Sequence, residues 1–257
     1  MAEIHPTAIV APGAELGEDV EIGAYSVIGP NVKLGDRTVL MPHVFIDGYT
    51  SLGAECRVFP FASLGTQTQD LKYSGGITHV EIGDRTTLRE YVTVSSATDD
   101  GDYTRVGSDC LIMAYAHVAH DCQLGNSVII ANACALAGHI IIEDQVIIGG
   151  LVGVHQFVRL GQMCIIGGCS KVTQDVPPYM MADGHPLAVR GINSVGLKRR
   201  AVNGTIRKQL KEVYRILYRK DLTTSKAVEA IEEEIEISEE IQHVIDFIKA
   251  SERGIAK

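Results

Sequence analysis

Four histidines, His117, His120, His139 and His155, fall within 39 residues of one another, and Asp121 directly follows His120. An imidazole with its ordinary pKa near 6.5 can give or take a proton at neutral pH. A neighbouring carboxylate favours the cation formed when it takes one. A histidine so placed can act as the general base that activates an attacking hydroxyl, with backbone N–H groups holding the oxyanion that develops. Three neutral imidazoles can instead converge on zinc at about 2.0–2.1 Å. A plain polar stripe on the surface is the third reading. The other five histidines, His5, His43, His79, His185 and His243, stand alone and read as surface or packing residues.

The choice depends on whether the backbone brings the four together, and a period of six answers that. Steps of six from Ile4 to Val172 visit 29 positions, 26 of them Ile, Leu or Val. The phase lapses only at Asp70, Gly76 and Asp100. Glycine often follows the aliphatic residue, as at 17, 23, 29, 35, 53 and 107, where it permits unusual backbone angles and close approaches. A period of six suits a short strand and a corner wound into a solenoid. Three strands make a coil of 18 residues, and coils stack about 4.8 Å apart. Val118, Leu136 and Val154 are separated by 18, so His120, His139 and His155 are predicted to share one face, with His117 at the preceding corner. Two polar stretches, 66–80 and 95–105, read as loops thrown out of the coil, each a multiple of six so that the phase resumes.

Cys56, Cys110, Cys122, Cys134 and Cys164 all sit four residues after an aliphatic position and read as core packing. Cys56, Cys110 and Cys164 are 54 apart, three coils of 18 and hence about 14 Å at the strand spacing, too far for a disulfide. Free thiols fit a reducing compartment. Cys169 falls outside the pattern and receives no role. After the proline-bearing connector at 174–187, apolar residues recur at helical spacing and predict three helices, with Thr224 and Ser238 as N-caps.

The net charge of −9 argues against a nucleic-acid binder. Residues 198–220 nevertheless hold nine basic residues and one acid, Glu212. They form either a solvated helix face or a docking surface for an acidic partner. No signal peptide is visible at the N-terminus, and the most apolar stretch, 128–154, is broken by Asn132, His139, Glu143, Asp144 and Gln145. The expectation is a cytoplasmic chain with no stable membrane insertion.

QDLKY (69–73), HVAHD (117–121), LAGH (136–139), VHQF (154–157), GGCS (167–170), QDVPPY (174–179) and GLKRR (196–200) follow one another in an order that resembles the UDP-N-acetylglucosamine acyltransferase family over essentially the whole chain. The resemblance implies a homotrimer of left-handed parallel β-helices, residues 1–187, each with a C-terminal helical domain, 188–257, and with sites between subunits. It implies transfer of an (R)-3-hydroxyacyl chain from acyl carrier protein to the 3-position of UDP-N-acetylglucosamine, the first step of lipid A biosynthesis. The only prosthetic group involved is the donor's own phosphopantetheine. Carried over by motif, His120 is the general base, Asp121 its partner, and the Gly138 N–H the oxyanion donor. Asp70 and Lys72 hold the sugar nucleotide, and His117, His139, His155 and Gln156 line the channel. Asn193, Arg199 and Arg200 reach the nucleotide from a neighbouring subunit. The basic stretch then steers the acidic carrier protein. Gly168 falls where the family sets acyl length, and its missing side chain implies a long chain.

Two departures bear on this. Ser95 stands where the family often has His, which opens a 3-amino sugar nucleotide as an alternative acceptor, and Val195 replaces a common acid before GLKRR. A sister enzyme acting on the 2-amino group would usually carry a further N-terminal domain, whereas the repeat here begins at Ile4. A zinc lyase of the γ-carbonic anhydrase kind is the alternative from another class. The His-x-x-His spacing of 117 and 120 differs from the His-x4-His that family resembles.

Overall fold

A computed structural model describes residues 1–257. Strands mostly two residues long repeat every six residues and sort in rotation into three sheets of 11, 9 and 8 strands, the faces of a triangular solenoid. Each strand carries one residue outward and one inward. The inward residues are the aliphatic positions, and stacked pairs such as Val118, Leu136 and Val154 lie in register from coil to coil. These ladders form a single apolar core that continues into the C-terminal helices.

The glycines act by close approach. A Cβ built on Gly107 would lie 2.4 Å from the carbonyl oxygen of Gly125, and one on Gly35 2.5 Å from the carbonyl carbon of Gly53. Neither glycine is left-handed; the left-handed corner residue comes two positions later and is seldom glycine. At one corner Tyr25, His43, Phe61, Tyr91 and Tyr115 hold φ between 59° and 65°. Their rings stack in an exposed column, with neighbouring centroids 4.8–5.2 Å apart. His43, expected to stand alone, is the second ring of that column.

The two loops occupy residues 67–78 and 96–102. Arg57 pairs with Thr87, thirty residues on, and Thr87 with Leu111, twenty-four on, so the loops add twelve and six residues and keep the phase. They also correct the cysteine arithmetic. The eighteen inserted residues remove one coil, so Cys56 and Cys110 are two coils apart, with Thr86 between them, and not three. The thiols remain unpaired because even two coils exceed disulfide reach, and five of the six point into the core.

Four helices follow where three were expected: α1 Ser194–Arg199, α2 Gly204–Arg219, α3 Thr224–Glu234 and α4 Glu239–Lys249. The extra one, α1, carries the GLKRR segment. Ser238 caps α4 as expected, but α3 is capped by Thr223, whose hydroxyl accepts from the Lys226 N–H; Thr224 is already inside the helix. The boundary drawn at 187/188 also shifts. Ala188–Ile192 pairs antiparallel with Met180–Asp183 and completes the first sheet, so the helical part begins at Ser194. The chain end returns to the solenoid, where Ile255 bridges to Asp175. Asp175 is 1% exposed and accepts from the Arg159 N–H and the Ser251 hydroxyl.

Candidate active site

The second sheet presents its outward residues in a column: His117, Ala135, Gly153 and Lys171, each paired with the next. Two small residues between two long ones leave a trough. The first loop folds over one side of it, and the result is a groove of about 740 Å³. Asp70, Lys72, His117, His120, Gly138, His155 and Gln156, seven of the expected site residues, line it. Lys171 and Thr173 line it too and were not anticipated. Their signal was there: Lys171 is 18 after Gly153 and Thr173 is 18 after His155, so each follows the earlier residue by one coil.

His120 is 6% exposed. Its Nδ1 lies 2.7 Å from Asp121 Oδ2 and 3.0 Å from the Thr98 hydroxyl. A carboxylate can only accept, so the proton sits on Nδ1 and the Nε2 lone pair is left for the groove. Asp121 occupies a left-handed corner at φ 61°, held by its N–H donating to Thr104 Oγ1 at 2.8 Å, and its second oxygen accepts from the Thr98 N–H at 3.3 Å. Asp70 Oδ2 stands 3.8 Å from His120 Nε2, beyond hydrogen-bonding range. The Lys72 N–H, at 3.0 Å, is the main cause holding the Asp70 carboxyl below its ordinary pKa, with the charges of His120 and Lys72 adding to it.

Gly138 supports the imidazole in two ways. A Cβ there would come within 2.2–2.8 Å of three ring atoms of His120, so the ring can lie over the backbone only because no side chain intervenes. At an equivalent position on another corner, such as Ala54, Ser108 or Asn126, the N–H donates to a side chain of the next coil. The Gly138 N–H has no protein acceptor and lines the groove. It is a free donor beside the His120 ring.

His139 does not line the groove of its own chain. It stacks on Phe157 at 4.8 Å, meets the His120 ring edge-on at 5.1 Å, and puts Nε2 3.5 Å from Asp121 Oδ2. His155 lines the groove further along, its Nδ1 3.2 Å from the Gln156 carbonyl. His117 hydrogen-bonds Thr93 through Nδ1 at 2.7 Å, and burial, helped by the charge of His120, lowers its pKa. The three imidazoles that zinc would need do not converge. The group that does is Asp70, His120 and His139, its ligand atoms within 4.8 Å of one another, with a carboxylate in place of one ring.

Four site residues lie away from this groove. Asn193 is buried and caps α1, accepting from the Gly196 N–H while its amide donates to the Met163 carbonyl. Arg199 and Arg200, at the end of α1, are exposed, as is Gly168, on a solenoid corner. Ser95, the residue behind the amino-sugar alternative, is buried opposite Thr66 and does not line the groove. Thr98 is a residue the sequence did not single out. A threonine in a turn-rich loop carries no mark of its neighbours.

The family model described as UDP-N-acetylglucosamine O-acyltransferase, domain 2, matches residues 175–256, and the bacterial transferase hexapeptide model matches 13–48 and 103–138. The acyl-[acyl-carrier-protein]–UDP-N-acetylglucosamine O-acyltransferases of Paracidovorax citrulli and Myxococcus xanthus are 49% and 46% identical to the chain, and each match covers 100% of both proteins. Among solved structures, the UDP-N-acetylglucosamine acyltransferase of Bacteroides fragilis is 40% identical and superposes with a TM-score of 0.97 over 99% of this chain and 100% of that one. LpxA of Acinetobacter baumannii is 41% identical and gives 0.96 over 99% of both. The solenoid is the left-handed β-helix of those proteins. A chain this similar along its whole length, with the histidine groove in place, belongs to the acyl-[acyl-carrier-protein]–UDP-N-acetylglucosamine O-acyltransferase family.

Proposed function

We propose that this chain transfers an (R)-3-hydroxyacyl group from acyl carrier protein to the 3-hydroxyl of UDP-N-acetylglucosamine, the first step of lipid A biosynthesis, with His120 as general base. The observation that carries this reading is the polarity of the His120 ring, with Nδ1 committed to Asp121 and Nε2 open to the groove. In the reaction, Nε2 takes the proton of the sugar 3-hydroxyl as its oxygen attacks the thioester carbonyl carbon. The C=O electron pair moves onto oxygen, and the Gly138 N–H donates to that oxyanion. Collapse of the tetrahedral centre breaks the C–S bond, and the phosphopantetheine sulfur leaves with the proton from His120. Asp121 stays ionised and stabilises the imidazolium between the two transfers.

Asp70 and Lys72 hold the sugar nucleotide at the loop, and His117, His155 and Gln156 line the channel for sugar and donor. His139 acts through Asp121. The chain works as a homotrimer in the cytoplasm and needs no cofactor beyond the donor's own phosphopantetheine. Asn193, Arg199, Arg200 and Gly168 then serve a neighbouring subunit's groove. Two observations support the trimer: the groove is walled on one side only by its own chain, and the exposed column from Tyr25 to Tyr115 leaves an aromatic ridge in need of cover. Gly168 leaves the acyl channel long.

The test is turnover of UDP-N-acetylglucosamine with a panel of (R)-3-hydroxyacyl carrier proteins. His120→Ala should lower kcat by about 10²–10⁴-fold with the fold intact. Full activity in that variant would remove the base.

A further inference from the structure

Two carboxylates flank the His120 ring, one at each nitrogen. Asp121 bonds Nδ1 at 2.7 Å, while Asp70 stops 3.8 Å short of Nε2. An imidazole that gains a proton on Nε2 would be expected to draw the second carboxylate in, and a contact of that kind would occupy the nitrogen the acceptor hydroxyl must reach. Something holds Asp70 back.

Thr98, buried in the second loop, touches all three groups. Its N–H donates to Asp121 Oδ1 at 3.3 Å. Its hydroxyl oxygen lies 3.0 Å from His120 Nδ1 and 3.4 Å from Asp70 Oδ2. The one Nδ1 proton goes chiefly to Asp121 Oδ2 at 2.7 Å, and the Thr98 oxygen at 3.0 Å at most shares it. The hydroxyl therefore keeps its own hydrogen to donate to Asp70 Oδ2, the same oxygen that faces Nε2. The first loop fixes the other oxygen, since Asp70 Oδ1 accepts from the Lys72 N–H at 3.0 Å.

We infer that Thr98 is a positioning residue that ties the Asp70 carboxylate back from His120 Nε2 and so keeps that nitrogen open to the acceptor hydroxyl. The inference rests on His120 being the base. The charged or titratable groups around the ring are Asp121 on its own corner, His117 on the strand before it, His139 on the next coil, and Asp70 and Lys72 on the first loop. Of these, only Asp70 faces Nε2, and the Thr98 hydroxyl holds the oxygen that faces it; the Thr98 N–H bond to Asp121 is made by backbone and survives substitution.

The experiment is the pH dependence of kcat/KM for Thr98→Val, Thr98→Ala and Thr98→Ser, each first checked for an unchanged melting temperature. Loss of the hydroxyl lets Asp70 close on Nε2, and an opposite charge at closer range favours the protonated ring. The acid limb should therefore move up by about one pH unit in the Val and Ala variants, and kcat/KM at neutral pH should fall about tenfold. Thr98→Ser should restore both, and adding Asp70→Asn to Thr98→Val should bring the limb back down. A limb that stays in place in both the Val and Ala variants overturns the inference, whatever happens to the rate, because a loop anchor would lower activity without retuning the base. If one variant is too unstable, the other decides. The two claims fail separately: active His120→Ala removes the base, while inactive His120→Ala with an unmoved limb removes only the role of Thr98.

Discussion

His117 and His120 stand three residues apart and meet different surroundings. His120 has a carboxylate on Nδ1, whereas His117 has only the Thr93 hydroxyl, with burial and the His120 charge both opposing protonation. The folded chain thus binds a proton at His117 less readily than the unfolded chain, whose histidines titrate near 6.5. As pH falls through that value the unfolded state takes up the proton first, so His117 costs stability on the acid side and nothing above it. His117→Gln should therefore narrow the difference in unfolding free energy between pH 7.5 and pH 5.5, measured by urea denaturation at both. An unchanged or larger difference would contradict the assigned direction.

At the scale of elements, the groove is made by what the second sheet leaves out. Gly153 has nothing within 4 Å of where a Cβ would stand, and its conformation is not left-handed. Gly153→Leu should fill the trough, lower turnover at least tenfold and leave the melting temperature within a few degrees of the parent. Gly138→Ala is the contrasting case. There the Cβ meets the His120 ring, so the proposed base is pushed aside, and a misplacement near 1 Å should cost about 10²-fold in kcat. Deep in the ladders, Ile130 is fully buried among stacked aliphatic residues, and Ile130→Ala should destabilise by about 2–5 kcal/mol in denaturant unfolding. Together these substitutions separate a glycine that leaves room in the groove, one that leaves room for the His120 ring, and a side chain that holds coils together.

Across the whole molecule, the core and the charge distribution make two further statements. Five cysteines are buried, and burial raises their thiols, Cys110 to about 11 and Cys122 to about 12, while Cys169 alone is exposed. A thiol reagent should modify at most one cysteine per native chain and all six after unfolding; rapid reaction of two or more would mean the coils open. The net charge is −9, yet Lys208 and Lys211 stand exposed on α2 beside the Arg215–Glu212 pair. Raising salt from 50 to 300 mM should raise KM for the carrier-bound donor several-fold and leave KM for the sugar nucleotide nearly unchanged, since screening acts on a protein-sized charged partner steered from a distance. No helix of the chain is long and apolar enough to cross a membrane.

The sequence alone determined the solenoid, because an inward aliphatic residue every six positions can be buried only by stacking equal coils. The same arithmetic put Val118, Leu136 and Val154 in one column, although His117, expected at the corner before it, lies in the strand itself, and the ordered motifs pointed to the chemistry. What tertiary structure decided lies where the period is silent. The loops obey no repeat, so their removal of one coil between Cys56 and Cys110, and the delivery of Asp70 and Thr98 together to one imidazole, could not be counted out. Likewise His139 shares the face but not the groove, since residues 18 apart stack only when they hold the same place in the hexad, and His139 follows Leu136 by three while His120 follows Val118 by two. Periodicity specifies the wall; the position of each side chain along it depends on φ at the corner and on what the inserted loops press against it.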